Sequence, residues 1–285
     1  MIKALLSAFS FIKNDKNCHI TAQIFILYRV IIRSLFLYIS IGHQMKAGII
    51  GAMEPEIAIL KGKLDSITTS EFGGYTFYQG QLDGCEVVIC QSGIGKVAAA
   101  LATALMIDKF SPDYVVNTGS AGGFDPELKV GDVVISSEVR YHDVNLTAFG
   151  YEIGQLPANP AAYIPHPTLV EAAEQSISSL NDIQAQAIQT KVGLITTGDT
   201  FMTAEEDVKR ARTNFPTMAA VEMEGAAIAH TCHQFAVPFV VIRSLSDIAG
   251  KESPTSFDEY LETASVNSSQ LVLNMVKNLA SKTLA

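Results

Sequence analysis

The feature of this sequence that most constrains its fold is a regular alternation of short apolar runs with helical runs, which begins at Met45. The runs with a buried-strand pattern include Lys46–Gly51, Tyr114–Asn117, Lys191–Thr197 and Phe239–Ser244. Helical segments such as the alanine-rich Gly95–Phe110 separate them. This alternation is typical of a sheet that contains parallel strands and is covered by helices. We therefore predict a single α/β domain over residues 45–281, with a central mixed β-sheet flanked by helices.

Local patterns add further expectations. Thr203 with Glu206, and Ser256 with Glu259, have the spacing of capping boxes that open helices. The glycine-rich segment Thr118–Gly123 is expected to be a turn after its strand. His142–Pro160 shows little periodicity and is predicted to be a long loop, which in a compact domain is more often functional than idle.

The first 44 residues need separate treatment, because Ile24–Ile41 is strongly apolar. Arg29 and Arg33 interrupt this run near its middle, where a charge is costly in hydrocarbon. The uninterrupted stretches are too short to cross a bilayer, and no small-residue cleavage site follows them. We interpret residues 1–44 as an extension that arises from an upstream start site or as a dispensable leader. A membrane anchor is the alternative.

The net charge and the cysteine content of the chain limit the partners that it can bind and the compartment in which it works. The chain has 20 Lys and Arg against 29 Asp and Glu, a net charge of −9, and an acidic body argues against a nucleic-acid partner. The four cysteines form no CxxC pair. Cys85 and Cys90 lie in or beside apolar strand patterns and are expected to be buried thiols in the reducing cytoplasm.

Other candidate motifs are weak. Gly93–Ala98 fits a relaxed dinucleotide fingerprint, but the acidic residue some twenty positions on, Asp113, precedes its strand and is misplaced for a ribose hydroxyl. His230, Cys232 and His233 lack further ligands at metal-site spacing. We expect no metal site, and we assign His142 a structural or loop-ordering role because no GxSxG nucleophile motif accompanies it.

Polar and acidic residues gather directly after the apolar strands, where ligands bind in open α/β sheets. The segments that share this placement are Gly51–Glu56, Ser92–Lys96, Thr118–Gly123 and Ser244–Asp247. A further segment, Ala220–Gly225, carries Glu222 and Glu224 at alternate positions, which point to one side of an extended chain. Each of these two glutamates could instead be a helix-start carboxylate that faces water.

Taken together, these segments resemble the 5′-methylthioadenosine/S-adenosylhomocysteine nucleosidases of the nucleoside phosphorylase superfamily. The matching motifs are MKAGIIGAMEPE (45–56), SGIGKVAAA (92–100), NTGSAGG (117–123), RYHDVNLTAFGYEIGQLP (140–157), AVEMEG (220–225) and IRSLSD (242–247). The resemblance extends from Met45 to the C-terminus. It implies a cytoplasmic homodimer without metal or organic cofactor that cleaves adenine from adenosine thioethers, and from 5′-deoxyadenosine, in methionine salvage and S-adenosylmethionine recycling.

The resemblance also assigns roles in cleaving the N-glycosidic bond. Asp247 would protonate the purine nitrogen N7, Glu56 would activate water, and Glu224 would hold the ribose hydroxyls. These roles suit a reaction that divides acid and base between two carboxylates.

The remaining implied site residues orient groups or line the cavity. Ser120 and Arg243 would orient the water and its carboxylate, and Ser246 would place Asp247. The implied base-binding residues are Phe201, stacked on adenine, and Met202, whose backbone with that of Phe201 reads the base edge. The implied lining of the sugar and alkylthio region is Met53, Ile94, Met223 and Phe257. The residues implied to reach the neighbouring subunit's site are Leu146, Phe149 and Pro157.

Two positions depart from the family pattern: Pro55 replaces a common acidic residue, and Gly225 a small helix-forming residue. The alternatives are a nucleoside phosphorylase, an aminodeoxyfutalosine nucleosidase of menaquinone synthesis, and a nucleotide-binding module without catalysis. The first turn, Gly51–Glu56, contains two carboxylates and no basic residue. It therefore favours water over phosphate as the nucleophile.

Overall fold

The computed structural model describes residues 45–177, 188–249, 253–280, 282 and 284. The nine β-strands in these ranges are β1 (Ala47–Gly51), β2 (Asp65–Phe72), β3 (Tyr75–Leu82), β4 (Cys85–Gln91), β5 (Tyr114–Gly123), β6 (Val133–Tyr141), β7 (Thr190–Thr197), β8 (Met218–Glu222) and β9 (Phe239–Ile248). The six α-helices there are α1 (Glu54–Gly62), α2 (Lys96–Phe110), α3 (Pro167–Gln175), α4 (Glu205–Asn214), α5 (Gly225–Phe235) and α6 (Ser253–Leu279).

The strands form one mixed sheet in the order β2-β3-β4-β1-β5-β8-β7-β6-β9. The last strand, β9, also pairs with β5 in parallel, so five strands close into a ring and β1 to β4 extend from it. β1 pairs in parallel with both β4 and β5, whereas β5 and β8 are antiparallel. The predicted α/β class and mixed sheet are confirmed.

Helices cover both faces of the sheet, which explains why its central strands are apolar on both sides. On one face, Ile57 and Leu60 of α1 pack with Leu271 and Met275 of α6. On the other face, α2 packs against α5 through small and apolar side chains, among them Ala102. Two other apolar residues of α2, Val97 and Leu101, are 72% and 53% exposed, whereas Leu105 is partly buried against this core.

Two strands are longer than the sequence predicts. β5 continues through Thr118–Gly123, which was expected to be a turn, because Gly122 and Gly123 pair with β8 and β9. β9 continues to Ile248, so Ser246 and Asp247 lie within a strand rather than after it. Strand β2 is not predicted from the sequence because its residues are mostly exposed and leave no apolar pattern.

Neither predicted capping box opens a helix. α4 begins at Glu205, and no side chain caps it. Its first turn is instead acidic, which complements the positive helix N-terminus. α6 begins at Ser253, three residues before Ser256. Pro254 falls in the first turn, where its missing N–H costs no hydrogen bond.

The expectations for residues 1–44 lie outside the described residues. Among the residues that are described, no helix is long and apolar enough to cross a membrane. Cys85, Cys90 and Cys232 are buried and form no disulfide among the described residues. This confirms the expected burial of Cys85 and Cys90.

Candidate active site

A cavity of about 470 Å³ opens where β1, β5, β7, β8 and β9 approach their carboxyl ends. Eleven of the predicted site residues line it, namely Met53, Glu56, Ile94, Ser120, Phe201, Met202, Met223, Glu224, Ser246, Asp247 and Phe257. The structure therefore brings most of the implied residues together around one cavity. Its size suits a small-molecule ligand such as a nucleoside.

Glu56 lies in the first turn of α1, and its carboxylate is buried against β5. Oε2 accepts hydrogen bonds from the backbone amides of Ala52 (2.8 Å) and Met53 (3.0 Å). Oε1 accepts from the amide (2.9 Å) and the hydroxyl (3.0 Å) of Ser120. Pro55 sits early enough in the helix to be accommodated. Four donors thus fix a carboxylate that faces the cavity.

Gly119 explains how two charged side chains approach the middle of β5. A Cβ at this position would collide with Nη1 of Arg243 and with Oε1 of Glu56. A glycine therefore allows both groups to lie against the strand.

Arg243 lies beneath the cavity, where it pairs with carboxylates of the β8–α5 turn. Its Nη2 donates to Oε2 of Glu222, lies 3.5 Å from Oε2 of Glu224, and donates to Oδ1 of Asn117 at 2.6 Å. The resemblance implied that Arg243 orients the water and Glu56. In the structure, Arg243 makes ion pairs with Glu222 and Glu224, and its Nη1 donates at 3.5 Å to the carbonyl oxygen of Ser120, the residue whose hydroxyl holds Glu56.

Glu222 joins three elements through one buried carboxylate. Oε2 accepts from the amides of Glu224 (3.0 Å) and Gly225 (2.7 Å) at the start of α5, and Oε1 accepts from the Thr197 hydroxyl. Glu222 is thus a helix-start carboxylate, as one interpretation proposed, but it faces Arg243 rather than water. The sequence pattern indicates Glu222 as a candidate residue but does not predict its ion pair with Arg243.

Glu224 is also buried, so its interpretation as a water-facing residue is wrong. Its Oε1 accepts a hydrogen bond from the Gly95 amide at 2.8 Å. Burial raises the pKa of Glu224 to about 7, and the neighbouring charge of Glu222 adds to this, while Arg243 and the Gly95 amide oppose it. This carboxylate therefore titrates near neutral pH.

Asp247 reaches the cavity through an irregularity in β9. Ala121 of β5 pairs with Leu245, and the next residue, Gly122, pairs with Asp247. Ser246 is therefore an extra residue, as in a β-bulge, and both Ser246 and Asp247 line the cavity. The Ser246 hydroxyl donates to Oδ1 of Asp247 at 3.0 Å, which supports the implied placing role.

The rim of the cavity is apolar and open. Phe201 is 41% exposed and meets Phe257 edge to face, with ring centroids 5.6 Å apart. Ile94 is 59% exposed, whereas Met202 is buried. These side chains offer apolar surface to a ligand.

Leu146, Phe149 and Pro157 do not line the cavity of their own chain. They belong to the long loop after β6, which contains a short 3₁₀ helix, Thr147–Phe149. Phe149 is 77% exposed. Their implied contact with a neighbouring subunit remains a prediction.

Several site residues were not identified from the sequence. Thr200, Val221 and Asp258 line the cavity, and Asn117 holds Arg243 from below. The buried amide of Asn117 could have been noticed as a polar side chain at the end of an apolar strand.

The histidine motifs have structural surroundings. His230 stacks on Tyr163, with ring centroids 5.0 Å apart, and its Nδ1 lies 3.2 Å from the Tyr141 hydroxyl. Burial lowers the pKa of His142, whose ring packs against Gly198. Within the described ranges, no group of three or more His, Cys, Asp and Glu side chains is placed to hold a metal ion.

Comparison with known proteins identifies the family. The Phosphorylase superfamily model matches residues 46–277. A 5′-methylthioadenosine/S-adenosylhomocysteine nucleosidase from Colwellia psychrerythraea is 73% identical over 241 residues, which cover 85% of this chain and 99% of that protein. A crystal structure of such a nucleosidase from that organism, in complex with adenine, superposes with a TM-score of 0.83 at 72% identity and the same coverage.

A second solved structure extends the comparison. The nucleosidase from Neisseria meningitidis, in complex with methylthio-immucillin-A, is 46% identical with a TM-score of 0.77, and the match covers 81% of this chain and 98% of that one. The carboxylate-lined cavity and the similarities to known proteins all point to the same family. The chain therefore belongs to the 5′-methylthioadenosine/S-adenosylhomocysteine nucleosidases of the phosphorylase superfamily.

Proposed function

We propose that this nucleosidase hydrolyses the N-glycosidic bond of 5′-methylthioadenosine and S-adenosylhomocysteine, and also that of 5′-deoxyadenosine, to release adenine and the ribose product. The observation that carries the residue roles is the convergence of Glu56, Glu224 and Asp247 on one cavity, each buried and each in a different hydrogen-bond environment. Three carboxylates with separate surroundings can perform three separate tasks.

Asp247 acts as the general acid. Cleavage leaves negative charge on the departing adenine, and protonation at N7 removes it. The Ser246 hydroxyl fixes one oxygen of Asp247, and the bulge in β9 directs the carboxyl toward the cavity. A fixed acid of this kind lowers the barrier because no reorientation is needed at the moment of proton transfer.

Glu56 activates the water that attacks C1′. The four donors to its carboxylate come from the Ala52–Met53 turn and from Ser120, and they hold its oxygens at the edge of the cavity. A water bound there loses its proton to the carboxylate as the sugar carbon becomes positive. Ser120 therefore positions Glu56, the general base.

Glu224 accepts hydrogen bonds from the ribose 2′- and 3′-hydroxyls. Only the ionised carboxylate is free to accept at both oxygens, and such charge-assisted bonds fix geometry well. Because the pKa of Glu224 is raised to about 7, ribose binding should weaken as the pH falls below neutrality.

The apolar part of the cavity holds the base and the 5′ substituent. The ring of Phe201 contacts adenine with its face or its edge. Met202, the next residue, contacts the edge of the adenine base. The side chains that take the sugar and alkylthio group are Met53, Ile94, Met223 and Phe257. A thioether is apolar, so this lining contributes affinity through burial.

The active form is a homodimer in the cytoplasm, where it serves methionine salvage. The observation that supports a dimer is the exposed apolar surface of α2, where Val97 and Leu101 are open to solvent. Phe149 and Ile94 are exposed as well. Val97 and Leu101 are neighbours one turn apart on α2, and adjacent exposed apolar residues of this kind mark interaction surfaces. In the dimer, Leu146, Phe149 and Pro157 of one protomer approach the cavity of the other.

Water rather than phosphate is the nucleophile. A phosphorylase must bind a phosphate beside C1′, where Glu56 would repel it, and Arg243 is already paired with Glu222 and Glu224. The test is adenine release in phosphate-free buffer, with the sugar product identified by mass spectrometry.

We expect adenine release without phosphate, a free thioribose product, and loss of turnover in Glu56→Gln. Glu54→Gln is the matched control, because Glu54 lies in the same turn but is exposed and paired with Lys61. A sugar 1-phosphate product would assign the chain to the phosphorylases.

Aminodeoxyfutalosine is the second candidate substrate. A futalosine hydrolase from Helicobacter pylori is 34% identical with a TM-score of 0.75, over 82% of this chain and 97% of that one. Competition among the four nucleosides in one assay measures their relative kcat/KM. A preference for aminodeoxyfutalosine would overturn the proposed thioether specificity.

A further inference from the structure

A charged cluster formed by Lys96, Asp143 and Asp199 lies beside the cavity but has no role in the proposed chemistry. Nζ of Lys96 is 2.5 Å from Oδ2 of Asp143 and 3.8 Å from Oδ2 of Asp199. The same Oδ2 of Asp143 accepts a hydrogen bond from the amide of Asp199 at 3.0 Å. The three residues come from the start of α2, the loop after β6 and the loop after β7. The cluster therefore joins three segments that are distant in sequence.

Asp199 also caps α2 from another part of the chain. Gly95, the N-cap residue, has no side chain to satisfy the first amides of the helix. Oδ1 of Asp199 accepts from the Lys96 amide at 2.8 Å, and a carboxylate is favourable at this positive helix end. Gly95 has φ +96°, and a Cβ there would lie 3.0 Å from Oδ1 of Asp199. The absence of a Cβ allows the carboxylate to approach.

The cluster connects the two halves of the proposed substrate site. The amide of Gly95, adjacent to Lys96, holds Oε1 of Glu224 at 2.8 Å. On the other side, Asp199 is followed directly by Thr200–Met202, which lines the cavity. The ribose-binding carboxylate and the base-binding segment are thus attached to the same three charges.

We propose that Lys96, Asp143 and Asp199 are positioning residues that fasten the base-binding segment Thr200–Met202 to the Gly95 turn, so that adenine and ribose contacts are set together. This inference rests on the proposed nucleosidase function and adds residues that act on substrate through others.

The electrostatics fit a local rather than a global role. The side chains of Lys96 and Asp143 are each about a quarter exposed, and that of Asp199 about half exposed. A single surface ion pair of this kind contributes little to stability. Here, however, the charges share hydrogen bonds with two backbone amides, so their loss frees two loops beside the cavity. The effect should therefore appear in substrate binding more than in the melting temperature.

The principal test is Asp199→Ala, which removes the cap and one wall of the cluster. We expect KM for methylthioadenosine and the inhibition constant of adenine to rise by roughly tenfold, the size of an ordinary lost cap, with kcat changed less. Asp108→Ala is the matched control, because it removes a carboxylate paired with Lys109 near the opposite end of α2. KM in Asp108→Ala should be native.

A pH profile separates positioning from general loosening. Glu224 is faced by Glu222 from β8, Arg243 from β9, Glu56 from α1 and the Gly95 amide at the start of α2. The Gly95 hydrogen bond lowers the pKa of Glu224, so a displaced Gly95 should raise it. The acidic limb of kcat/KM against pH should therefore move to higher pH in Asp199→Ala. Asp199→Asn keeps an oxygen for the Lys96 amide and should restore the limb.

Lys96→Met serves as the second variant, because it removes the cation without touching the cap and should raise KM in the same direction. Native KM and an unmoved limb in folded Asp199→Ala or Lys96→Met would overturn the inference. A wild-type profile without a limb near neutral pH would contradict the role of Glu224 in the proposed function. In that case, the KM of Asp199→Ala against Asp108→Ala still decides whether the cluster positions the base-binding segment.

Discussion

At the floor of the cavity Glu56, Glu224 and Asp247 are buried and held by hydrogen bonds, whereas at its rim Ile94 and Phe201 lie open to solvent. The floor is assembled from strand ends and helix starts of one chain, so its geometry exists before substrate arrives. The rim offers apolar surface that only a ligand or a second protomer can cover. With the proposed residue roles, bond cleavage depends on the floor, while affinity for the base and for the 5′ substituent depends on the rim.

The largest effect should follow a change in the floor. Asp247→Asn should lower kcat by on the order of 10²–10⁴-fold, the usual contribution of a general acid, because an amide cannot protonate N7. Substrate binding should persist, as measured by equilibrium titration. Near-native turnover would place the acid elsewhere.

Glu224→Gln should impair substrate binding without lowering the free energy of unfolding at pH 8. The pKa of Glu224 is raised from 4.5 to about 7 in the folded chain, so the folded state binds this proton more tightly than the unfolded state. The free energy of unfolding therefore falls as the pH rises from about 4.5 to about 7.

In Glu224→Gln this pH dependence should disappear, and stability at pH 8 should equal or exceed that of the wild type while KM rises sharply. Urea unfolding at pH 5 and pH 8 measures the difference. A variant that is clearly less stable at pH 8 would contradict the argument.

A change at the proposed dimer surface should have a smaller effect, confined to binding. Phe149→Ala should raise KM by up to roughly tenfold, as expected when an aromatic contact at an interface is lost, and leave kcat nearly unchanged. Phe235→Ala is the matched control, because Phe235 is also exposed but lies at the end of α5. Light scattering reports the assembly state, and a fully active monomer would remove the rim's dependence on a partner.

The smallest effect is expected from a change outside both regions. A chain that begins at Met45 should keep its kcat/KM nearly unchanged, because the family model begins at residue 46 and 241 residues of this chain suffice to match 99% of the Colwellia relative. Loss of folding or activity would show that these residues contribute to the domain. Mass spectrometry of the native N-terminus identifies the start in the cell.

The sequence predicts a strand where burial leaves a run of apolar residues, and it fails to predict a strand whose residues are exposed. The buried strands β1, β7 and β9 show as apolar runs in the sequence, whereas β2 is an exposed edge strand whose alternation has no apolar side. On α2, the spacing of Val97 and Leu101 identifies one face of the helix without saying what covers it. Its exposed residues became informative only in the folded chain.

The site was predicted as a set of residues better than as a set of contacts. The family motifs locate Glu56, Glu224 and Asp247, and the cavity brings them together. The pairing of Arg243 with Glu222 and Glu224 was not predicted, because it depends on where the β8–α5 turn meets β9, which no local pattern encodes. The link from Asp199 to the start of α2 spans 103 positions and has the same origin.

The extra residue Ser246 in β9 has a consequence for comparing homologous genes. Strict alternation along a strand would send only one of two adjacent side chains to the cavity, and the inserted residue allows both. Deleting one residue between Leu245 and Asp247 would turn the acid away while preserving its identity in an alignment. The length of the strand, and not only the identity of its residues, thus orients the carboxyl group that we propose as the proton donor, and a deletion of one residue could abolish activity in a homologue that keeps this aspartate.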